Sequence, residues 1–118
     1  MLFGTAVRIS PGKLDRFRGL DKELDEHRDE YEALNARFEV RAHSVWASHQ
    51  LDGTTVAVNL YDIAPEGLQA MAKREWDLYS PYDRWWVGWV NDIYGIDLLD
   101  GSSHAGPPEP VLTWESGG

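Results

Sequence analysis

The chain contains no cysteine. That removes disulfide frameworks, thiolate nucleophiles and Cys-ligated zinc or iron–sulfur sites from consideration. It also lacks an apolar run of 18 residues and a basic-then-apolar leader, so the expectation is a cytoplasmic protein with no membrane partner. Positive charge is scarce, with 11 Lys and Arg against 20 Asp and Glu and a net charge of −9. An anionic membrane or a nucleic acid would find no cationic stripe here, and neither is expected as a partner. A Gly-x-Ser-x-Gly elbow and a Gly-rich phosphate loop are missing as well.

What is present fits one globular domain. A chain of 118 residues has core enough for one folding unit, burying roughly two thirds of its unfolded surface. Apolar residues make up 42% and charged residues 26%, ordinary values for a soluble domain. Residues 1–100 read as this domain, and residues 101–118 as a flexible or arm-like tail. The stretch 101–110 holds three prolines, two glycines and two serines, so it has little to bury and much chain entropy to lose on ordering. Val111, Leu112 and Trp114 form an apolar tip on that tether. Extended, the tether spans ~30 Å, enough to reach a neighbouring subunit.

Along the domain, residues 2–10 (LFGTAVRIS) read as a strand stopped by Pro11 and Gly12. From Lys13 to about Arg37 the chain reads as one long amphipathic helix, with Phe17, Leu20, Leu24, His27, Tyr31 and Leu34 along a single stripe. Residues 38–51 and 54–63 read as two strands joined by a two-residue Asp52-Gly53 turn. That turn sets a register in which His49 faces Val56, Val45 faces Leu60 and His43 faces Asp62. On the opposite side Ser48 pairs with Ala57, Trp46 with Asn59 and Ser44 with Tyr61; a one-residue slip would exchange the faces. A helix follows from Pro65, with Leu68, Met71, Ala72 and Trp76 on its buried side. Ser80-Pro81-Tyr82-Asp83 reads as a second helix start, with Ser as cap, Pro at the first position and an acid at the third. That helix runs to Gly95 and buries some of Trp85, Trp86, Trp89, Val90 and Ile93. Residues 96–99 read as a short last strand.

The order β-α-β-β-α-β predicts an α+β fold of ferredoxin-like, split βαβ type, an antiparallel sheet with two helices on one face. The other face, apolar in either register, predicts a homodimer. Here the sequence resembles the dimeric α+β barrel superfamily, within it a family of short bacterial proteins. The resembling residues are Val7-Arg8-Ile9-Ser10-Pro11-Gly12-Lys13, the charged first helix, the hairpin, and Ser80-Pro81-Tyr82-Asp83-Arg84-Trp85. The superfamily includes cofactor-independent monooxygenases, polyketide cyclases, muconolactone-type isomerases, haem-degrading enzymes and members with no known chemistry, often with a pocket between sheet and helices. The resemblance thus implies a domain binding a small apolar, aromatic or polyketide-like molecule, either as a cofactor-independent enzyme or as a non-catalytic structural or regulatory homodimer. Because the superfamily shares a scaffold rather than a motif, it assigns no catalytic residue.

The candidate residues come from the chain itself. His27 sits on an apolar helix stripe, where an imidazole titrating near neutrality suits proton transfer; a satisfied core or helix-edge histidine explains it equally. Tyr61 and Asn59 are candidates to orient a carbonyl or hydroxyl. Trp46, with the Ser44 and Ser48 hydroxyls, shares their expected sheet face and would line a pocket or an interface. Trp86 would be a second wall, one of four tryptophans (Trp76, Trp85, Trp86, Trp89) that also suit a packed core. Asp83 is either a carboxylate base beside Arg84 or a helix cap. No metal is expected: His43 and His49 lie ~20 Å apart along a strand, too far to share an ion.

Overall fold

The computed structural model describes residues 1–100 together with 111, 112, 114 and 116. The fold is α+β. Strands β1 (Leu2–Arg8), β2 (Val40–His49) and β3 (Thr55–Ile63) form one antiparallel sheet in the order β1-β3-β2. β1 and β2 both run antiparallel to the central β3 and are therefore parallel to each other. Helical segments α1 (Leu14–Arg18), α2 (Leu20–Leu24) and α3 (Arg28–Arg37) connect β1 to β2, and α4 (Pro65–Ala72) and α5 (Pro81–Tyr94) follow β3. The expected tail lies mostly outside the described residues; Val111, Leu112 and Trp114 are exposed.

The single long helix expected from Lys13 to Arg37 is broken twice. Gly19 leaves helical geometry (φ −86°, ψ 7°) between α1 and α2, where glycine gives up most entropy to stay helical. A second break comes at His27 (φ −127°, ψ 17°), after the 3-10 turn Asp25–His27. Arg28 holds this corner, donating to Asp21 Oδ1 at 2.8 Å and Asp25 Oδ1 at 2.5 Å. The strand expected from Phe38 starts at Val40, because Phe38 and Glu39 finish α3, with Glu39 at φ 57°.

The hairpin turns at Asp52 and Gly53, but with a three-residue loop. Gly53 N–H donates to the Gln50 carbonyl at 3.1 Å, and Gln50 N–H to the Thr54 carbonyl at 2.8 Å. Gly53 takes the left-handed conformation (φ +86°) that closes such a loop as a G1 bulge. Asp52 Oδ1 fixes it by accepting from Thr54 N–H and the Thr54 hydroxyl, at 2.9 and 2.6 Å. Every expected pair therefore slips by one residue: His49 faces Thr55, Val45 faces Asn59, His43 faces Tyr61 and Trp46 faces Val58. This is the correction with the largest consequence for the site.

The start and stop of α5 are as the sequence predicts. Ser80 Oγ accepts from Asp83 N–H at 3.4 Å, Pro81 is the first residue, and Gly95 ends the helix at φ 69°. Residues 96–99 form no strand. Asp97 Oδ1 takes up Leu99 N–H at 2.9 Å and the Asp97 carbonyl accepts from Asp100 N–H at 3.2 Å, a turn that curls the backbone away from pairing.

α5 packs on the sheet face that carries Ala57. Trp89, Val90 and Ile93 join Ile9, Phe17 and Ala57 in the core. α4 packs tightly on the exit of α3, where a Cβ on Gly67 would fall 1.9 Å from the Phe38 carbonyl oxygen. The other sheet face is uncovered by the described residues and carries Leu2, Ala6, Trp46, Val58 and Leu60; Leu2 is 85% exposed and Trp46 61%.

Candidate functional site

Side chains alternate across a strand, so the slipped register decides which residues meet. On the helix-covered face, β2 and β3 present His43, Val45, Ala47, Ala57, Asn59 and Tyr61. Tyr31 on α3 descends onto this face and its hydroxyl lies 2.5 Å from His43 Nδ1. The imidazole is stacked flat on Tyr61, with centroids 4.1 Å apart and planes 7° apart. One bond and one stack thus fix the ring.

Two cavities meet at this pair. An inner one of ≈190 Å³ is walled by Tyr61, Met71, Trp76, Tyr82 and Trp86. An outer one of ≈460 Å³ runs along α1 and α2 past Phe17 to Val45 and Ala47, with Arg18, Asp21 and Arg28 among its lining. Leu20, Leu24, Tyr31 and His43 line both. The inner cavity is somewhat larger than the ~150 Å³ hole that admits benzene in a packed core, and so suits one substituted ring. Its only charged lining residue, Arg74, is committed: it ion-pairs with buried Asp83 and lies over the Trp76 ring at 4.4 Å. The charge at the chamber is therefore paired, and half of its lining residues, His43 included, carry an aromatic ring.

Burial shapes the titration of the site. It lowers the pKa of His43, so the imidazole is neutral at pH 7. Burial raises Tyr61 well above the ordinary phenol range and pushes Tyr82 up to about 12. The Asn59 amide, 8% exposed, faces both His43 and Tyr94, favouring the charged form of each. Even so, among the described residues His43 Nε2 and the Tyr94 hydroxyl have no hydrogen-bond partner of ordinary length, and the same holds for Trp76 Nε1 and Trp89 Nε1. Four unpartnered buried polar atoms in so small a domain call for an explanation.

The other residues singled out from sequence are dispersed. Asn59, Tyr61 and Trp86 belong to the covered side. Trp46, Ser44 and Ser48 are on the open face, where Trp46 Nε1 donates to Ser44 Oγ at 2.9 Å and Ser48 Oγ accepts from Gln50 at 3.0 Å. His27 lines neither cavity; it stacks on Trp85 at 4.9 Å beside a shallow cleft formed by residues 25–30. Asp83 holds Arg74 and accepts from Asp77 N–H at 2.9 Å, a structural duty at the start of α5. Among the described residues no cluster of His, Asp and Glu is placed to hold a metal, and no helix is long and apolar enough to cross a membrane. Sequence reasoning weighed His43 only as a metal ligand and passed over Tyr31 as a functional group. The signal that would have found His43 is its place opposite Tyr61, visible once the loop is counted as three residues.

Compared with known proteins, the chain matches no family model, no curated protein and no solved structure. Its function has to be argued from the site.

Proposed function

We propose that this protein is a small-molecule-binding domain of ferredoxin-like, split βαβ topology that works as a homodimer of the dimeric α+β barrel type. The molecule bound is a single-ring aromatic or polyketide-like compound held between sheet and helices. The observation that carries this reading is the aromatic-lined cavity of ≈190 Å³ with unpartnered polar atoms of His43 and Trp76 among its lining residues. A cavity without a role costs stability, and buried polar atoms are normally satisfied; a polar aromatic guest relieves both. The order β1-β3-β2 with β1 parallel to β2 supports the topology, although residues 96–99 supply no fourth strand. The exposed apolar face of Leu2, Trp46 and Leu60 supports pairing through the sheet. The Tyr31–His43 pair suits proton-transfer chemistry without a cofactor, of the cyclase, isomerase or monooxygenase kind.

A second reading, a non-catalytic structural or regulatory homodimer, is favoured by one observation. Trp86 stacks flat on Trp89 with centroids 5.3 Å apart, as in a packed core. Titration with fluorobenzene followed by ¹⁹F NMR separates the two. Saturable binding that disappears in Leu24→Trp, which fills the wall shared by both cavities, is expected for the binding domain. Absence of binding, or binding indifferent to Leu24→Trp, would leave the structural homodimer.

A further inference from the structure

We propose that His43 is the residue by which this cavity recognises its guest: a neutral imidazole, held by Tyr31 as the Nε2–H tautomer, that donates a hydrogen bond to a carbonyl-type oxygen on an aromatic ring. The inference rests on reading the cavity as a ligand site and adds the chemical class of the ligand.

The tautomer follows from hydrogen-bond accounting. A neutral imidazole has one N–H and one bare nitrogen. The Tyr31 hydroxyl, 2.5 Å from Nδ1, makes no other hydrogen bond among the described residues. If it donates to Nδ1, its single hydrogen is used and the imidazole proton resides on Nε2. If it accepted from Nδ1–H, its own hydrogen and the bare Nε2 would both be left without a partner, two unsatisfied groups in place of one. Stacking on Tyr61 keeps the ring from turning to exchange its nitrogens.

Nε2–H is then a buried donor that, although the Asn59 amide faces the ring, has no partner at ordinary hydrogen-bond length among the described residues. Trp76, across the same cavity, adds a second, since an indole nitrogen only donates. Arg74 also lacks acceptor capacity, while the Asn35 amide and the Tyr61 and Tyr82 hydroxyls in the lining can donate or accept. Two buried donors without a partner among the described residues select a guest with an acceptor, and the cavity volume limits that guest to about one ring. An aryl ketone, aldehyde or quinone-like carbonyl fits both conditions. Because the imidazole is neutral, its action on the carbonyl is polarisation through a hydrogen bond, and no proton changes owner in binding. Tyr31 acts through His43 and is a positioning residue.

Acetophenone and α-methylstyrene have nearly the same shape and differ in C=O against C=CH₂, which makes them the probes. Affinities come from tryptophan fluorescence, and the His43 tautomer from ¹⁵N shifts of ring-labelled protein. The free protein is expected to show pyrrole-type Nε2 and pyridine-type Nδ1, and acetophenone to bind at least about tenfold more tightly than α-methylstyrene, as one hydrogen bond to an otherwise unpartnered donor implies. His43→Phe should abolish that preference and keep α-methylstyrene binding. If His43→Phe fails to fold, Tyr31→Phe serves: the ring shifts should become those of a tautomer mixture and the ratio of the two affinities should fall toward one. Equal affinity for the two probes, or a pyridine-type Nε2 in the free protein, overturns the role given to His43 while leaving the cavity reading in place. Failure of both probes to bind overturns the cavity reading, and the inference with it.

Discussion

The two faces of the one sheet treat tryptophan in opposite ways. On the covered face, Trp89 of α5 is wholly buried against Phe17 and Ala57; on the open face, Trp46 stands more than half exposed, hydrogen-bonded only to Ser44. The covered face mixes its apolar groups with imidazole, amide and phenol groups, whereas the open face sets Ala6, Trp46, Val56, Val58 and Leu60 with two serines between Arg8 at one end and Asp62 at the other. A face meant only to pack has no need of His43, Asn59 and Tyr61 in a row, and a face meant for water has no need of Leu2, Val58 and Leu60. The contrast is what the proposed function builds on, with a small molecule on the first face and a second copy on the second.

The largest effect should come from deleting the buried ring. Trp89→Ala is expected to lower stability by about 3–5 kcal/mol, read from the denaturation midpoint. A loss under about 1 kcal/mol would mean that the covered face is loosely packed and that the cavities beside it are packing faults.

Trp46→Glu sharpens the comparison from the other side. Placing a charge in the open face should weaken self-association by about 2 kcal/mol, the scale of an interface anchor, and shift sedimentation toward monomer at tens of micromolar. A wild-type chain that sediments as a monomer at that concentration would remove the homodimer and leave the open face unexplained.

A smaller effect is expected from pH. His43 is held neutral in the folded state by burial, while in the unfolded chain it takes up a proton near its ordinary value of 6.5. Protons therefore favour the unfolded state as pH falls through that value, and stability declines from pH 7 to pH 5. Against His43→Gln, the wild type should show the steeper decline in this window. Glu23 and Asp92 act lower. Held below their ordinary 4.5 and 3.8 by hydrogen bonds, from Arg16 to Glu23 and from Lys13 and Arg16 to Asp92, they contribute stability above those values and lose it only under more acid conditions. Parallel curves for wild type and His43→Gln between pH 7 and 5 would show that His43 is not confined as described.

The smallest effect tests the register itself. Leu51 is fully exposed at the tip of the hairpin. Deleting it leaves Asp52-Gly53 as a two-residue turn between Gln50 and Thr54, with His49 still opposite Thr55. Every observed pair is thus retained, and stability should change by less than about 1 kcal/mol. Loss of folding would show that the three-residue loop is itself required to hold the two faces apart.

Much of the scaffold was legible because it depends on local chemistry. Ser80, Pro81 and Gly95 set the ends of α5 through capping and φ preferences that operate within a few residues, and Pro11-Gly12 follows the first strand for the same reason. The candidate site was less legible. Asp52-Gly53 marks a turn, but whether one more residue joins the loop depends on which face of each strand is buried. That single residue moved Trp46, Ser44 and Ser48 away from Asn59 and Tyr61 and brought His43 in.

By itself the sequence determined the class of fold, the α5 helix with its caps, the place of the hairpin and an apolar sheet face left over. These follow from periodicity, turn chemistry and composition, which act over short stretches of chain. Only the tertiary structure decided the register, the break of the first helix at Gly19 and His27, and the meeting of Tyr31 with His43. Such outcomes require segments distant in sequence to compete for the same buried surface: Tyr31 reaches His43 because α3 folds back onto β2, and Asn59 is buried because Ala57 and Val45 on the same face pack under α5. Burial of one face, rather than any local preference, selected which residues share the cavity.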